Sequence, residues 1–284
     1  MADLSTVNIG DFFKEQSHLV WKRIEFARKL NLRIRETTIT EELLFRFWRA
    51  YYDKKIPIRI FEAKAEHKNG NDLEIFVKTS RGFILLVCQA KITDNKGGYR
   101  YFFHKVSGKF QIKLLSDYAR KRGAIAQYLL FNYVHIFSRS AELLDIAAIE
   151  DFGITTFSAD LLLPFLDMLK MTKKSIPVPN FAMLHPGIAI PFHQLVCSLL
   201  GDRMTVETDT EKITPAPLKF YSEEEVVSEE DWWWLQKPPT IGFITKEDTV
   251  AAPKQADKKE EVFSPKYRLV IGGEFSRGQL RQLS

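Results

Sequence analysis

Four polar residues interrupt two otherwise apolar runs: Asp72 and Glu74 in Asp72-Leu73-Glu74-Ile75-Phe76-Val77, and Gln89 and Lys91 at the end of the run that starts at Phe83. If Ser80 and Arg81 are the centre of a hairpin turn, facing residues have numbers that sum to 161, and Asp72 falls opposite Gln89. Side chains alternate along a strand, so Glu74 shares the face of Asp72 and Lys91 that of Gln89. A lysine in so apolar a strand is expensive to desolvate unless it is paired or chemically active. A carboxylate and an amide beside it can hold a hard divalent ion through oxygen ligands, and the ammonium can then orient or deprotonate a water. This is an arrangement for phosphodiester hydrolysis, in which cation and ammonium stabilise charge on the transferring phosphorus.

Two strands must bring these groups together, and the surrounding pattern supplies them. Phe12, Phe13, Leu19, Val20, Ile24 and Ala27 indicate a helix within residues 1–35, and Ile39, Leu43, Phe47 and Ala50 repeat with helical period from about Thr37 to Tyr51. Beyond Pro57 the runs 58–60, 73–77 and 83–90 read as strands, broken at Asn69-Gly70-Asn71 and at Ser80-Arg81-Gly82. A helix from Lys109 to Arg122 ends at Gly123, a natural cap, and is followed by a buried strand from Ala126. A short helix at 141–148, a strand at 153–158 and helices at 159–171 and 192–200 complete an α/β alternation. Residues 1–200 read as one domain with an N-terminal helical segment. Residues 201–284 read as an accessory, irregular C-terminal extension in which only Trp232-Trp233-Trp234 and a strand at Tyr267 to Ile271 stand out.

Charge is unevenly spread. The chain carries +5, yet residues 207–261 hold fourteen acids against seven bases, which leaves +12 on the rest. Between Lys96 and Arg122 lie eight bases and one acid, Asp117. A basic body with an acidic extension suits a polyanion such as nucleic acid, with Lys96, Arg100, Lys105, Lys109 and Lys113 as contacts. The stretch from Lys96 to Phe103 mixes bases with Tyr99, Tyr101, Phe102 and Phe103; it reads either as a phosphate grip with base stacking or as a loop leading into a helix. The acidic run 223–231 and its three tryptophans are expected to solubilise, to dock a protein partner or to fold over the basic face; a homodimer is a further expected partner. Two cysteines in apolar runs, six scattered histidines, no Gly-x-Ser-x-Gly and no phosphate-cradling glycine loop argue against a disulfide scaffold, a zinc site, serine hydrolysis and P-loop chemistry. With no signal-like N-terminus and no run long enough for a bilayer span, a cytoplasmic protein is expected.

The Asp72, Gln89-Ala90-Lys91 arrangement resembles the active site of the PD-(D/E)xK, or restriction-endonuclease-like, superfamily, in its Gln-x-Lys variant. The chain is also similar to an uncharacterised bacterial family of that superfamily through Glu36-Thr37-Thr38-Ile39-Thr40, Glu66 to Asp72, Gln89 to Lys91 and Tyr128 to Tyr133, over about residues 30–200. The resemblance implies an α/β, restriction-endonuclease-like core with a central mixed sheet flanked by helices, and a metal-dependent nuclease that leaves a 5′-phosphate, in a setting such as defence against foreign DNA. Asp72, Gln89 and the Ala90 carbonyl would hold the metal, Lys91 would position the attacking water, and an acid of the first core helix would help to orient it. Glu36 is the first choice for that acid, at helical spacing from Ile39 and Leu43; Glu41 and Glu42 are the alternatives. The neutral Gln89 also admits a second reading, a nucleic-acid-binding or sensor module without catalysis.

Overall fold

A computed structural model describes residues 9–54, 56–63, 72–100, 102–106, 108–135, 149–164, 166, 178–201, 218–227, 232–235 and 265–273. Two long helices come first, α1 (Ile9–Lys29) and α2 (Glu36–Lys54), then strands β1 (Ile58–Ala63), β2 (Asp72–Thr79) and β3 (Gly82–Ile92). A small hairpin of β4 (Lys105–Val106) and β5 (Lys109–Phe110) leads into α3 (Gln111–Arg122), β6 (Ile125–Phe131) and β7 (Ile154–Ser158). There follow α4 (Phe181–Leu184), β8 (Ile190–Pro191), α5 (Phe192–Leu200), β9 (Phe220–Tyr221), α6 (Glu223–Val227), β10 (Trp232–Trp234) and β11 (Tyr267–Ile271).

The main sheet runs β10-β1-β11-β2-β3-β6-β7-β8, with β9 added against β3. It is mixed: β11 pairs parallel with β2 and β3 parallel with β6, while β2–β3, β1–β11 and β6–β7 are antiparallel. β3 sits at its centre and is buried at every position from Phe83 to Lys91, because both faces are covered; this explains its unbroken apolar run. One face, with Leu73, Ile75, Leu86, Cys88 and Ala90, meets α1, α2 and α5; the other, with Phe76, Phe83, Leu85 and Val87, meets α3 and residues from α6 and β10.

Local chemistry explains the boundaries. Gly123 ends α3 in the left-handed region (φ 61°, ψ 39°), where its N–H reaches the carbonyls of Ala119 and Arg120. Gly153 lets β7 approach α1: a Cβ there would stand 2.0 Å from the Ser17 carbonyl oxygen. The Ser17 hydroxyl donates to the carbonyl of Asp151 and accepts from the N–H of Ile154, stitching α1 to the start of β7.

The expected α/β architecture is present, and the helices at 109–122 and 192–200 and the strands at 126 and 153 lie within a few residues of their expected places. The helix expected at 141–148 lies outside the described residues; the one expected at 159–171 begins as a 3-10 turn at Ala159–Leu162, and its residues 165 and 167–171 lie outside them. The C-terminal extension is not wholly accessory. β11 lies inside the sheet between β1 and β2, and β10 pairs with the other edge of β1. Among the described residues no helix is long and apolar enough to cross a membrane.

Candidate functional site

The β2–β3 hairpin has the register anticipated from its turn: Thr79 faces Gly82 and Asp72 faces Gln89. Ser80 and Arg81 make the turn, and the Thr79 hydroxyl holds it by donating to the Gly82 carbonyl and accepting from the Arg81 N–H. Pairing with β2 ends at Gln89, while Ala90, Lys91 and Ile92 continue along β6 opposite Leu129, Leu130 and Phe131. Ala90 packs its methyl group in the α1–α2 layer.

Gln89 and Lys91 lie at the centre of the molecule, 1% and 7% exposed. The Lys91 ammonium donates to Gln111 Oε1 at 3.2 Å. Gln111 is the first residue of α3, and its N–H is taken by the carbonyl of His104, so the strand lysine is tied to the point where the β4–β5 hairpin turns into the helix. That hairpin carries Lys105 and Lys109, both exposed, and Lys113 follows half-buried one turn into α3. The first turn of α3 contains no acid, so its positive dipole end adds to these charges. Three of the five expected basic contacts, Lys105, Lys109 and Lys113, therefore lie on the hairpin and helix to which Gln111 ties Lys91.

Glu74 plays a different part from its neighbours. It is fully buried, and its Oε2 accepts from Arg268 Nε at 2.9 Å and Nη2 at 2.5 Å. Arg268 faces Glu74 in the parallel β11–β2 register. Its Nη1 reaches the Val226 carbonyl, and its guanidinium lies 4.3 Å from the Trp232 ring centre and 4.9 Å from that of Phe76. Tyr118 donates to Glu74 Oε1 at 2.7 Å; burial first, and then the carboxylate, push its phenol pKa well up. Glu74 is therefore committed to holding β11 and α3 together.

One expectation needs correction. Glu36 opens α2, which packs on the layer of Ile75 and Ala90, whereas Gln89 and Lys91 alternate into the opposite layer. Helical spacing from Ile39 and Leu43 does turn that side of α2 to the sheet, but to its other face; a path from Glu36 to Lys91 would have to pass around the strand ends. Glu42 is taken by Arg23 of α1, with contacts of 2.9 to 3.2 Å. For the aromatic loop the structure decides between the two readings. Tyr99 and Phe102 are buried, with Phe102 edge-on to Tyr128 at 4.6 Å, so they are core residues and not a stacking platform. Asp94 shapes this loop by accepting from the N–H groups of Lys96 and Gly98 and from Arg100. Burial alone would raise its pKa, but these bonds outweigh burial and lower it. Lys96 and Arg100 remain on the surface.

Sequence reasoning missed three things here: Gln111 as the partner of Lys91, Arg268 as the partner of Glu74, and a buried polar chain. In that chain Tyr99 donates to Asn132 Oδ1, Asn132 donates to the Phe152 carbonyl and Thr155 Oγ1, and Thr155 meets His185 Nε2 at 2.8 Å. Burial depresses the His185 pKa to about 4, against a weaker opposing bond to the Phe181 carbonyl. One signal was available: a lone Arg268 and a lone Glu74, each in an apolar strand, are charges that need one another.

As a metal site, Asp72, the Gln89 amide and the Ala90 carbonyl are oxygen donors, the kind that Mg²⁺ or Mn²⁺ takes, but only the carboxylate carries charge. Among the described residues no cluster of three or more His, Cys, Asp or Glu could hold a metal ion. Glu66 lies outside the described residues. No curated protein and no solved structure matches the chain. A model of a family of unknown function, DUF6615, matches residues 9–262, and the chain belongs to that family.

Proposed function

We propose that the protein is a cytoplasmic nuclease of restriction-endonuclease-like type that hydrolyses phosphodiester bonds of DNA, or of RNA, with Mg²⁺ or Mn²⁺, in a role such as defence against foreign nucleic acid. The observation that carries this reading is Lys91: an ammonium kept at the centre of an apolar sheet, on the strand whose Gln89 stands opposite Asp72. The order helix, three strands of the main sheet, helix, strand from α2 to β6, with the basic β4–β5 hairpin inserted beside Gln111, supports it.

Asp72 and Gln89, with the Ala90 carbonyl, would hold the cation, which supplies charge neutralisation and a more acidic water when bound. Lys91 places its positive charge at the phosphate as negative charge develops there, in a setting where water screens it little. Gln111 fixes the direction of the ammonium. Lys105, Lys109 and Lys113 attract the nucleic-acid backbone without reading sequence.

The test is digestion of plasmid DNA and of RNA with Mg²⁺ or Mn²⁺, using wild type, Lys91→Met and Asp72→Ala. Each variant is expected to lose roughly 100-fold or more, the scale for removing one charge-stabilising group. Equal background from all three proteins overturns the reading. The neutral Gln89, which lowers the charge available to a cation, favours a second reading: a nucleic-acid-binding or sensor module that kept the fold without catalysis. Salt-sensitive retention of nucleic acid by wild type and by both variants, without cleavage, would select it.

A further inference from the structure

A second basic surface lies at the C-terminal end of β3, two residues beyond Lys91. Residues 22–35, the corner where α1 turns into α2, hold six bases against one acid, Glu25. Arg28 pins that corner to the sheet: half-buried, it donates to the carbonyls of Thr93 and Tyr133, which follow β3 and β6, and to Thr93 Oγ1. Burial pulls the Arg28 pKa down and the nearby Asp94 opposes the shift. Asp94 in turn accepts from Arg100 and from the Lys96 N–H. The corner and the Lys96–Arg100 loop are thereby joined across the ends of β3 and β6, beside the strand end that holds Lys91.

Part of this charge is already paired. Arg23 is bridged to Glu42, Lys29 to Glu25 and Arg100 to Asp94. Lys22, Arg33, Arg35 and Lys96 are exposed and make no ion pair among the described residues. In the same corner Phe26, Leu30 and Leu32 are 58%, 53% and 56% exposed. Lys22, Phe26 and Leu30 follow one another at four-residue spacing, on one stripe of α1. Asn31, in the left-handed region (φ 54°), then turns the chain so that the Leu32 N–H reaches the Ala27 carbonyl, which holds Leu32 at the tip of the corner. The C-terminal end of one helix meets the N-terminal end of the next here, so their dipoles offset and the side chains set the sign.

We propose that the α1–α2 corner is a second nucleic-acid contact, in which Lys22, Arg33, Arg35 and Lys96 take backbone phosphates and Leu30 and Leu32 wedge into the minor groove of a duplex that runs across the ends of β3 and β6. The inference rests on the reading of nucleic acid as the ligand of the Lys91 site, not on catalysis there. Charge and position decide the occupant. Four unbridged cations stand against one unbridged acid of the corner, Glu36, a surplus that suits a polyanion. A grip on the backbone alone has no use for exposed aliphatic side chains, whereas proteins that kink a duplex press Leu or Phe between base steps with Arg and Lys beside them. An anionic bilayer would offer the same two chemistries, but it gives no reason for the corner to sit beside Lys91.

Binding of a short duplex DNA to the full chain over a salt series, read by fluorescence anisotropy in EDTA so that metal-dependent cleavage does not intervene, tests the proposal. The joint change Arg33→Gln, Arg35→Gln removes two phosphate contacts; it is expected to lower the slope of log K against log salt by about 1.8 and to weaken binding roughly tenfold or more at low salt. Leu30→Ser with Leu32→Ser should weaken binding about fivefold with the slope unmoved, because it removes apolar contact and no charge. Lys121→Gln, which removes an exposed charge near the C-terminal end of α3 at the other end of the sheet, should change neither. All variants are expected to keep the far-ultraviolet circular dichroism spectrum of wild type. The proposal is overturned if wild type does not retain the duplex, if the arginine change leaves the slope where it was, if the leucine change moves nothing, or if the corner variants lose binding to phosphatidylserine vesicles and not to DNA. An unmoved slope beside unimpaired digestion sinks this inference alone; a lowered slope beside absent digestion sinks the nuclease alone.

Discussion

Replacing Arg268 by methionine removes the partner of a carboxylate that has no access to water. Glu74 is 0% exposed and Arg268 1% exposed, and the change deletes both guanidinium bonds to Oε2, the bond to the Val226 carbonyl and the stacking on Trp232 and Phe76. Tyr118 remains, and Arg122 stays 3.7 Å from Oε1, too far to replace what is lost. Removing one member of a buried ion pair typically costs about 3–5 kcal/mol. For a chain of this size that is a fall in Tm of roughly 10 °C. The double change Arg268→Met, Glu74→Leu removes both charges; it leaves Tyr118 short of one hydrogen bond, about 1 kcal/mol, and should recover most of the loss. Urea unfolding followed by circular dichroism and tryptophan fluorescence, completed as a double-mutant cycle, is expected to give a coupling of about 2–4 kcal/mol. A cost below about 1 kcal/mol for Arg268→Met would refute the reasoning, because it would mean that the pair is as weakly coupled as one in water.

Three further outcomes are expected. His185 is neutral in the fold: its pKa falls from 6.5 to about 4, so stability is complete above pH 6.5 and drains as pH drops towards 4, by about 3 kcal/mol in all. Urea midpoints at pH 7.5, 6 and 5 should show this fall in wild type and a flatter course in His185→Asn; parallel curves would exclude His185 as the cause. Gly153→Ala forces a Cβ against the Ser17 backbone and should cost about 3 kcal/mol in the same assay, whereas a cost near zero would show that α1 and β7 slide apart freely. If Lys91 carries cleavage, Gln111→Leu should lower kcat at least tenfold with little change in Tm, and Gln111→Asn should recover part of it; equal rates for all three would remove Gln111 as a positioning residue.

The hairpin was legible because one turn fixes everything after it. Once Ser80 and Arg81 form the bend, alternation alone carries Asp72 to Gln89 and puts Lys91 on the same side as Gln89. Gly123 was legible as a cap for a similarly local reason. The place of β11 was not, because no turn links it to β2: the two strands are parallel, and Arg268 and Glu74 are 194 residues apart. Spacing showed that Glu36 starts a stripe turned to the sheet, but period cannot tell which of two sheet faces a helix covers. Tyr99 and Phe102 were open to misreading because an aromatic beside a lysine looks the same whether it is to stack on a base or to fill a core; burial decides.

The position of β11 also has a bearing on how the chain is born. Until residue 267 has emerged from the ribosome, β1 and β2 each present a raw edge, and Glu74 waits without its cation. A ribosome-bound chain stopped short of Tyr267 is therefore expected to leave the amides of β2 along that edge open to deuterium exchange and its edges receptive to chaperones, with closure arriving only once β11 has emerged.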